Sequence, residues 1–369
     1  MNIGIVGLPN AGKSTIFNAL IQNIKAEVAS YPFCTIEPNI GKAGIPDERL
    51  YKIAELEKSK KIIPATIEFV DIAGLVRGAG KGEGMGNQFL SHIRGVSAIA
   101  HVIRCFKNPE IPHVEGDLNP VRDAEIVNLE LIIADLQTVE KRLARVEKLA
   151  KTGKNQAKKE LLLLNKIKKI LEEDMKPIRY YIKDFDREEK RYMEKELFLL
   201  TVKPLMYIAN ISEEDLPEGE NSDYVKSLRE LAEKEGSPVV IICGKFEEEL
   251  AELEVEEKKE FLKEMGLKEP GLHKLVKEGK KLLNLVSFFT TKSEEARAWL
   301  VKKGTKAPQA AGKIHSDMEK GFICAEVINY EEYIKIGSFQ KAKELGAVRT
   351  EGKDYKIQDG DIVLFKFNI

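Results

Sequence analysis

Apolar residues open the chain as a continuous run at positions 3–6 that stops at Gly7. A run of that length bounded by glycine reads as a buried strand, and from Ser14 to Ile21 the spacing turns helical. Comparable runs recur at 67–71, 98–102, 205–210 and 239–243, with helical or loop stretches between them. Strands so far apart need crossover connections, so the pattern predicts an α/β fold with a mainly parallel sheet.

One interval departs from that rhythm. From about Asp123 the apolar positions Leu129, Ile132, Leu136, Val139, Leu143 and Val146 recur at steps of three and four, the seam of a coiled coil. The stretch KTGKN (151–155) supplies a turn, and Leu161, Leu164, Ile167 and Leu171 continue a second helix. Strand-like runs resume only near Leu199. The expected organisation is therefore an α/β core in two parts, 1–122 and 199–282, interrupted at 123–198 by an antiparallel helical hairpin. Residues 247–260 (EEELAELEVEEKKE) form an acidic helix-like run, expected to be a solvated face. Beyond about Lys280, aromatic residues such as Phe288, Trp299, Phe322 and Phe365 become frequent, and an Asp-Gly turn leads into a final alternating strand. A separate small α+β domain at 283–369 follows from that change.

Composition narrows the class. At 369 residues the chain is long enough for two or three units, and 43% hydrophobic with 32% charged residues argues against wholesale disorder. Fifty-nine Lys and Arg against sixty Asp and Glu leave a net charge of −1, so any nucleic-acid surface must be local. The hairpin tip is such a place, with Lys141, Arg142, Arg145, Lys148, Lys151, Lys154, Lys158 and Lys159. Those charges fit either a solvated coiled coil or a phosphate-backbone contact. Four cysteines without CxxC spacing exclude a disulfide scaffold and zinc ribbons. With no basic leader and no apolar run of about 18 residues, a soluble, cytoplasmic protein without a membrane role is expected.

The most informative motif is Gly7-Leu8-Pro9-Asn10-Ala11-Gly12-Lys13-Ser14, which matches GxxxxGK[ST] between a strand and a helix. Its glycines let the backbone wrap around phosphate, so that the N–H groups from Asn10 through Thr15 face the anion at a helix N-terminus. Lys13 is expected on the β- and γ-phosphates and the Ser14 hydroxyl on Mg²⁺. Asp71 ends the strand IEFVD and begins DIAG, placing it on the Mg²⁺ shell and the Gly74 N–H on the γ-phosphate. Thr35, in YPFCTIEPN, is the second hydroxyl candidate for an octahedral oxygen site. The glycine-dense run 74–86 reads as a switch that orders on the γ-phosphate.

GLPNAGKST, YPFCTIEPN, DIAGLVRGAGKGEGMGNQFLSHIR, NISEED and GTKAPQAAGKIHSDMEKGFI together closely resemble the Obg-like ATPase (YchF) family of translation-factor-related P-loop proteins, over essentially the whole chain. The resemblance implies a G-domain-like core and an ATP-hydrolysing switch acting on the ribosome or in translation. GTP-binding relatives carry NKxD, whose Asp accepts from guanine. Here Asn210-Ile211-Ser212-Glu213 stands in its place, an NxxE element that accompanies ATP preference in that family, with Asn210 and the Ile211 backbone near the base. Adenine presents an acceptor at N1 and a donor at N6, so a carboxylate placed for guanine loses both partners.

Many relatives have a water-orienting Gln after DxxG, whereas Leu75 follows Gly74 here, which implies slow intrinsic turnover. The family's substitute is a His after the third strand, matched by His113, with His92 as second candidate and His101 as a core residue. Asn10 matches relatives that use K⁺ in place of an arginine finger. The C-terminal stretch resembles a TGS domain, a β-grasp module. There Lys302, Lys303, Lys306, Lys313 and Lys320 interleave with Trp299, His315 and Phe322, which is compatible with RNA contact as well as with a plain structural domain. The expected partners are ATP and the ribosome or ribosomal RNA, through the hairpin and the TGS-like domain; no DNA is expected. Two rivals remain: an Obg- or Drg-type GTPase in ribosome assembly, and an interaction protein merely stabilised by nucleotide.

Overall fold

The structure is a computed structural model that describes residues 1–28, 39–72, 84–151, 155–217, 219–292 and 294–368. The described residues pack as two compact units, one mainly of 1–26 and 68–275, the other mainly of 42–67 and 276–368. The second unit thus takes 42–67, a stretch the apolar pattern had placed with the α/β core.

In chain order the elements begin with β1 (Asn2–Gly7), α1 (Lys13–Val28), β2 (Ile40–Gly44), α2 (Glu48–Leu56), β3 (Lys61–Ile63) and β4 (Thr66–Asp71). Next come α3 (Gly84–Gly95), β5 (Ala98–Arg104), α4 (Pro120–Ala150), α5 (Asn155–Glu172) and α6 (Arg187–Lys195). The core resumes with β6 (Leu205–Asn210), α7 (Asp223–Glu235), β7 (Val239–Ile242), α8 (Gly244–Glu252), α9 (Val255–Glu264) and α10 (Gly271–Leu282). A six-stranded sheet runs β2-β4-β1-β5-β6-β7, and the pairs from β4 to β7 are all parallel. Every residue of β5 and β6 is buried, as strands covered on both faces must be. His101 lies in β5 between Val6 and Tyr207; burial pushes its pKa down to about 3, so it is a neutral core residue.

The insertion is larger than a two-helix hairpin. α4 starts three residues before the expected boundary, on an Asn119 cap whose side chain accepts the Arg122 N–H, with Pro120 opening the helix. At about 1.5 Å per residue its 31 residues span roughly 46 Å. Arg142 pairs with Glu160 and Glu140 with Lys168, so partner numbers rise on one helix as they fall on the other, which fixes α4 and α5 as antiparallel. Ile132, Val139, Leu143 and Val146 bury the seam against Leu164, Ile167 and Leu171. Leu129, expected in that seam, is 40% exposed, because Asn128 and Leu131 are the residues turned inward at that level. A short 3₁₀ segment at 178–184, kinked at Tyr181, and α6 complete the insertion, adding Phe185 and Met193 to its core. The turn residues 152–154 lie outside the described residues.

The acidic run 247–260 is two helices, with a break at Leu253 and Glu254. It is not wholly solvated. Glu247 is 2% exposed and accepts the Gly271 N–H at 2.6 Å, and burial raises its carboxyl to about 7.

The second unit continues with β8 (Leu285–Lys292), β9 (Glu295–Lys302), α11 (Ala307–Ile314), α12 (Ser316–Lys320), β10 (Phe322–Asn329), α13 (Tyr330–Ile336), α14 (Phe339–Glu344), β11 (Arg349–Glu351) and β12 (Asp361–Phe367). Its sheet runs β11-β10-β12-β8-β9-β3, with β12 and β8 parallel at the centre and antiparallel pairs around them, the arrangement of a β-grasp sheet. Phe288, Phe322 and Phe365 form its core with Ala307, Ala310 and Ala311 of α11. The three-residue β3 adds parallel to β9. So short a strand, without an apolar run of its own, shows no periodicity that a sequence could reveal.

Candidate active site

The carboxyl ends of β1, β5, β6 and β7 converge on a cavity of about 870 Å³. Open α/β sheets bind ligands at this edge, where neighbouring connections diverge to opposite faces. Its walls are the phosphate loop after β1, the loop after β5, residues 210–214 after β6, and the start of α8.

The phosphate loop holds a conformation that few residues adopt. Asn10 has φ +64° and Gly12 φ +90°. A Cβ on Gly12 would lie 2.0 Å from Asn210 Nδ2, so both angle and space require glycine. Lys13 opens α1, whose first turn carries no acidic side chain, leaving the positive helix end for an anion. Lys13 Nζ is ion-paired with Asp71 Oδ1, both side chains largely buried.

Asn210 is buried and works as a brace. Its Nδ2 donates to the Ala11 carbonyl at 2.9 Å and its Oδ1 accepts the Gly244 N–H at 3.0 Å, tying the phosphate loop to the start of α8. The neighbouring Ile211 is also buried, and its N–H donates to the Ile242 carbonyl. Glu213 accepts from Lys245 Nζ at 2.7 Å, which raises the lysine pKa. The Glu213 carboxylate is thus paired with the Lys245 ammonium at the cavity wall.

Asn10, Gly12, Lys13, Ser14 and Thr15 line this cavity together with Asn210, Ile211 and Glu213. Ala11 is buried behind the loop, and Asp71 reaches the site through Lys13. Thr35, Gly74 and Leu75 lie outside the described residues, as does the glycine run up to residue 83. His92 is exposed in the last turn of α3 and does not line the cavity.

His113 does not line it either. Its Nδ1 accepts the Glu115 N–H at 3.1 Å, so the neutral ring carries its proton on Nε2 and donates it to Asp123 Oδ2 at 2.8 Å. The loop around it is organised by Arg104, a buried guanidinium at the end of β5 that donates to the carbonyls of Phe106, Asn108 and Ile111. Asn10 Nδ2 donates to the Pro112 carbonyl at 3.0 Å, linking the phosphate loop to the same segment. Sequence reading missed Arg104, Phe106, Lys107 and Asp123. The polar break after a buried strand, in Cys105-Phe106-Lys107-Asn108, was the only signal for a site wall there.

A family model described as a 50S ribosome-binding GTPase matches residues 2–166, and a second, YchF-GTPase_C, described as a protein of unknown function, matches residues 285–368. The Ribosome-binding ATPase YchF of Bacillus subtilis (strain 168) is 50% identical over 369 residues, 100% of both chains. Its namesake in Escherichia coli O157:H7 is 51% identical over 366 residues, 99% of each chain. The solved structure of the Schizosaccharomyces pombe YchF GTPase superposes with a TM-score of 0.89 at 37% identity, covering 99% of this chain and 97% of that one. With a phosphate loop at the strand ends, a helical insertion after β5 and a C-terminal sheet domain, all within a match of that extent, this chain belongs to the YchF family.

Proposed function

We propose that this chain is a Mg²⁺-dependent ATPase whose nucleotide state switches its hold on the ribosome. The observation that carries the reading is the cavity itself: a phosphate loop at one end and, at the other, a carboxylate at position 213 engaged by Lys245 instead of free to accept from guanine. The relatives named ribosome-binding ATPases supply the partner and the nucleotide. A basic hairpin and a TGS-like C-terminal domain are the surfaces for that partner, and the cytoplasm is its compartment. Among the described residues no helix is long and apolar enough to cross a membrane.

The residues fit a hard cation delivered with the nucleotide. The exposed Ser14 hydroxyl and the Asp71 carboxylate are oxygen donors, which suits Mg²⁺, and Thr35 is the third candidate. Among the described residues no cluster of three or more His, Cys, Asp or Glu could hold a metal alone, so phosphate oxygens would have to supply further ligands. Bound there, Mg²⁺ neutralises charge on the β- and γ-phosphates. An incoming triphosphate draws Lys13 away from Asp71 and frees that carboxylate for the cation shell. The first-turn N–H groups of α1 take the remaining charge, while Asn210 keeps the phosphate loop and α8 in register. Gly74 would contact the γ-phosphate. His113 orients water in place of the Gln that Leu75 replaces, with slow intrinsic turnover as the result. Asn10 Oδ1 is the donor for K⁺ in this reading; equal hydrolysis in K⁺ and Na⁺ buffers would remove that role.

Isothermal titration with ATP and GTP tests the nucleotide assignment: ATP should bind more tightly, and a preference for GTP would restore the Obg- or Drg-type reading. Single-turnover hydrolysis with and without ribosomes separates a stimulated enzyme from an interaction protein that merely holds nucleotide.

A further inference from the structure

The segment between β5 and α4 is a largely exposed surface loop in which the His113 side chain turns inward. Ile111 and Val114 are 37% and 49% exposed, whereas the His113 side chain between them is 7% exposed. Both ring nitrogens are occupied, Nδ1 by the Glu115 N–H and Nε2–H by Asp123. A ring held this way has no free lone pair for water and stands outside the lining of the nucleotide cavity.

Its partner is fixed. Asp123 lies in the first turns of α4 with a side chain 3% exposed, and its Oδ1 accepts from Arg122 Nη2 at 3.2 Å. Arg104 adds positive potential from β5. Five residues further along, Asn128 is clamped to Glu235 of α7, Tyr207 of β6 and Arg179 by buried hydrogen bonds. The root of α4 is thus secured to the sheet, and the loop backbone on either side of His113 is held by Arg104 on the Ile111 carbonyl and Arg122 on the Glu115 carbonyl, so release would fall to the His113 side chain. The phosphate loop touches that loop directly, through Asn10 Nδ2 on the Pro112 carbonyl. A ligand that draws Asn10 toward itself removes the tie on the residue just before the histidine.

We infer that Asp123 is a positioning residue for the reaction: it parks His113 at the root of the helical insertion, and hydrolysis requires the ring to leave that carboxylate and enter the cavity. The proposal rests on the role of His113 given above. Slow basal turnover would follow, since only the released fraction of molecules is competent.

Asp123→Asn keeps the size and one acceptor oxygen but exchanges a charge-assisted hydrogen bond for a neutral one about half as strong. Steady-state ATP turnover without partner should rise about three- to tenfold, with KM for ATP unchanged. The double variant Asp123→Asn/His113→Ala should match His113→Ala alone, because a latch has no effect once its histidine is gone; a merely structural aspartate would give an additional loss. If Asp123→Asn slows turnover while retaining the wild-type melting temperature, Asp123 supports the active ring position and the proposal is overturned. Unchanged turnover in His113→Ala would overturn the functional reading and the proposal together, whereas slowing in both single variants overturns only the proposal. Should Asp123→Asn not fold, histidine ¹⁵N spectra of the unmodified protein decide the matter. A non-hydrolysable ATP analogue with Mg²⁺ should abolish the slowly exchanging Nε2–H signal of His113, and its persistence would refute release.

Discussion

Glu235 ends α7 inside the first unit and accepts hydrogen bonds from Asn128 Nδ2 at 2.9 Å, the Tyr207 hydroxyl at 2.9 Å and Arg179 Nε at 2.8 Å, with a longer one from Ser237 Oγ at 3.4 Å. The partners come from α4, β6 and the segment at 178–184, so one carboxylate fastens the start of the helical insertion and its 178–184 segment to the sheet. Glu235→Gln preserves volume but removes the charge and turns one acceptor oxygen into a donor. The Arg179 side chain is 6% exposed, and that of Glu235 is fully buried, so the guanidinium would be left uncompensated. Removing one partner of a buried pair costs about 3–5 kcal/mol. At roughly 2–4 °C per kcal/mol for a unit of 150–250 residues, the first unit should melt about 6–20 °C lower by differential scanning calorimetry. ATP affinity at 25 °C should hold, because Glu235 does not line the cavity. The double variant Arg179→Met/Glu235→Leu should recover part of the loss, since apolar replacement of a whole buried pair is often neutral while Asn128 and Tyr207 still lose a buried partner. A single variant that melts within about 2 °C of wild type, or a double variant worse than the single, would refute this account of the insertion's root.

Other expectations follow from the same geometry. Asn210→Ala leaves the Ala11 carbonyl and the Gly244 N–H without their partner, at about 1–3 kcal/mol, so ATP should bind roughly ten- to a hundredfold more weakly by calorimetric titration. Gly12→Ala combines a forbidden φ with a 2.0 Å clash against Asn210 and should abolish nucleotide binding, while melting shifts by only a few degrees. Glu247, raised to about 7 from 4.5 by burial, binds its proton more tightly folded than unfolded. Between pH 4.5 and 7 it therefore lowers stability as pH rises, by up to about 3 kcal/mol, and has no further effect above its folded pKa. Glu247→Gln, which can still accept from Gly271, should flatten that slope in urea denaturation followed from pH 4 to 8.

Much of the nucleotide cavity could be read from local sequence because its chemistry is local. A phosphate loop needs Gly12 for its φ and Lys13 and Ser14 at the helix start, and these requirements act within a few consecutive residues. The buried strands β5 and β6 announce themselves for the same reason, as unbroken apolar runs. Leu129 misled because a heptad count assumes one partner for the whole helix. The lower part of α4 packs on the sheet, which turns Asn128 and Leu131 inward instead.

What the sequence determined by itself, then, was the phosphate loop between β1 and α1, the buried strands of its sheet and the presence of a helical insertion. Tertiary structure decided the rest: that Lys245 pairs with Glu213 across 32 residues, that Asn210 braces a loop 199 residues away, and that β3 joins β9 in the second sheet. It also decided that His113 rests on Asp123, outside the cavity. Side-chain types and short spacings carry propensity and local geometry. Pairing between distant segments depends on which surfaces meet when the sheets assemble, and no single stretch of chain records that.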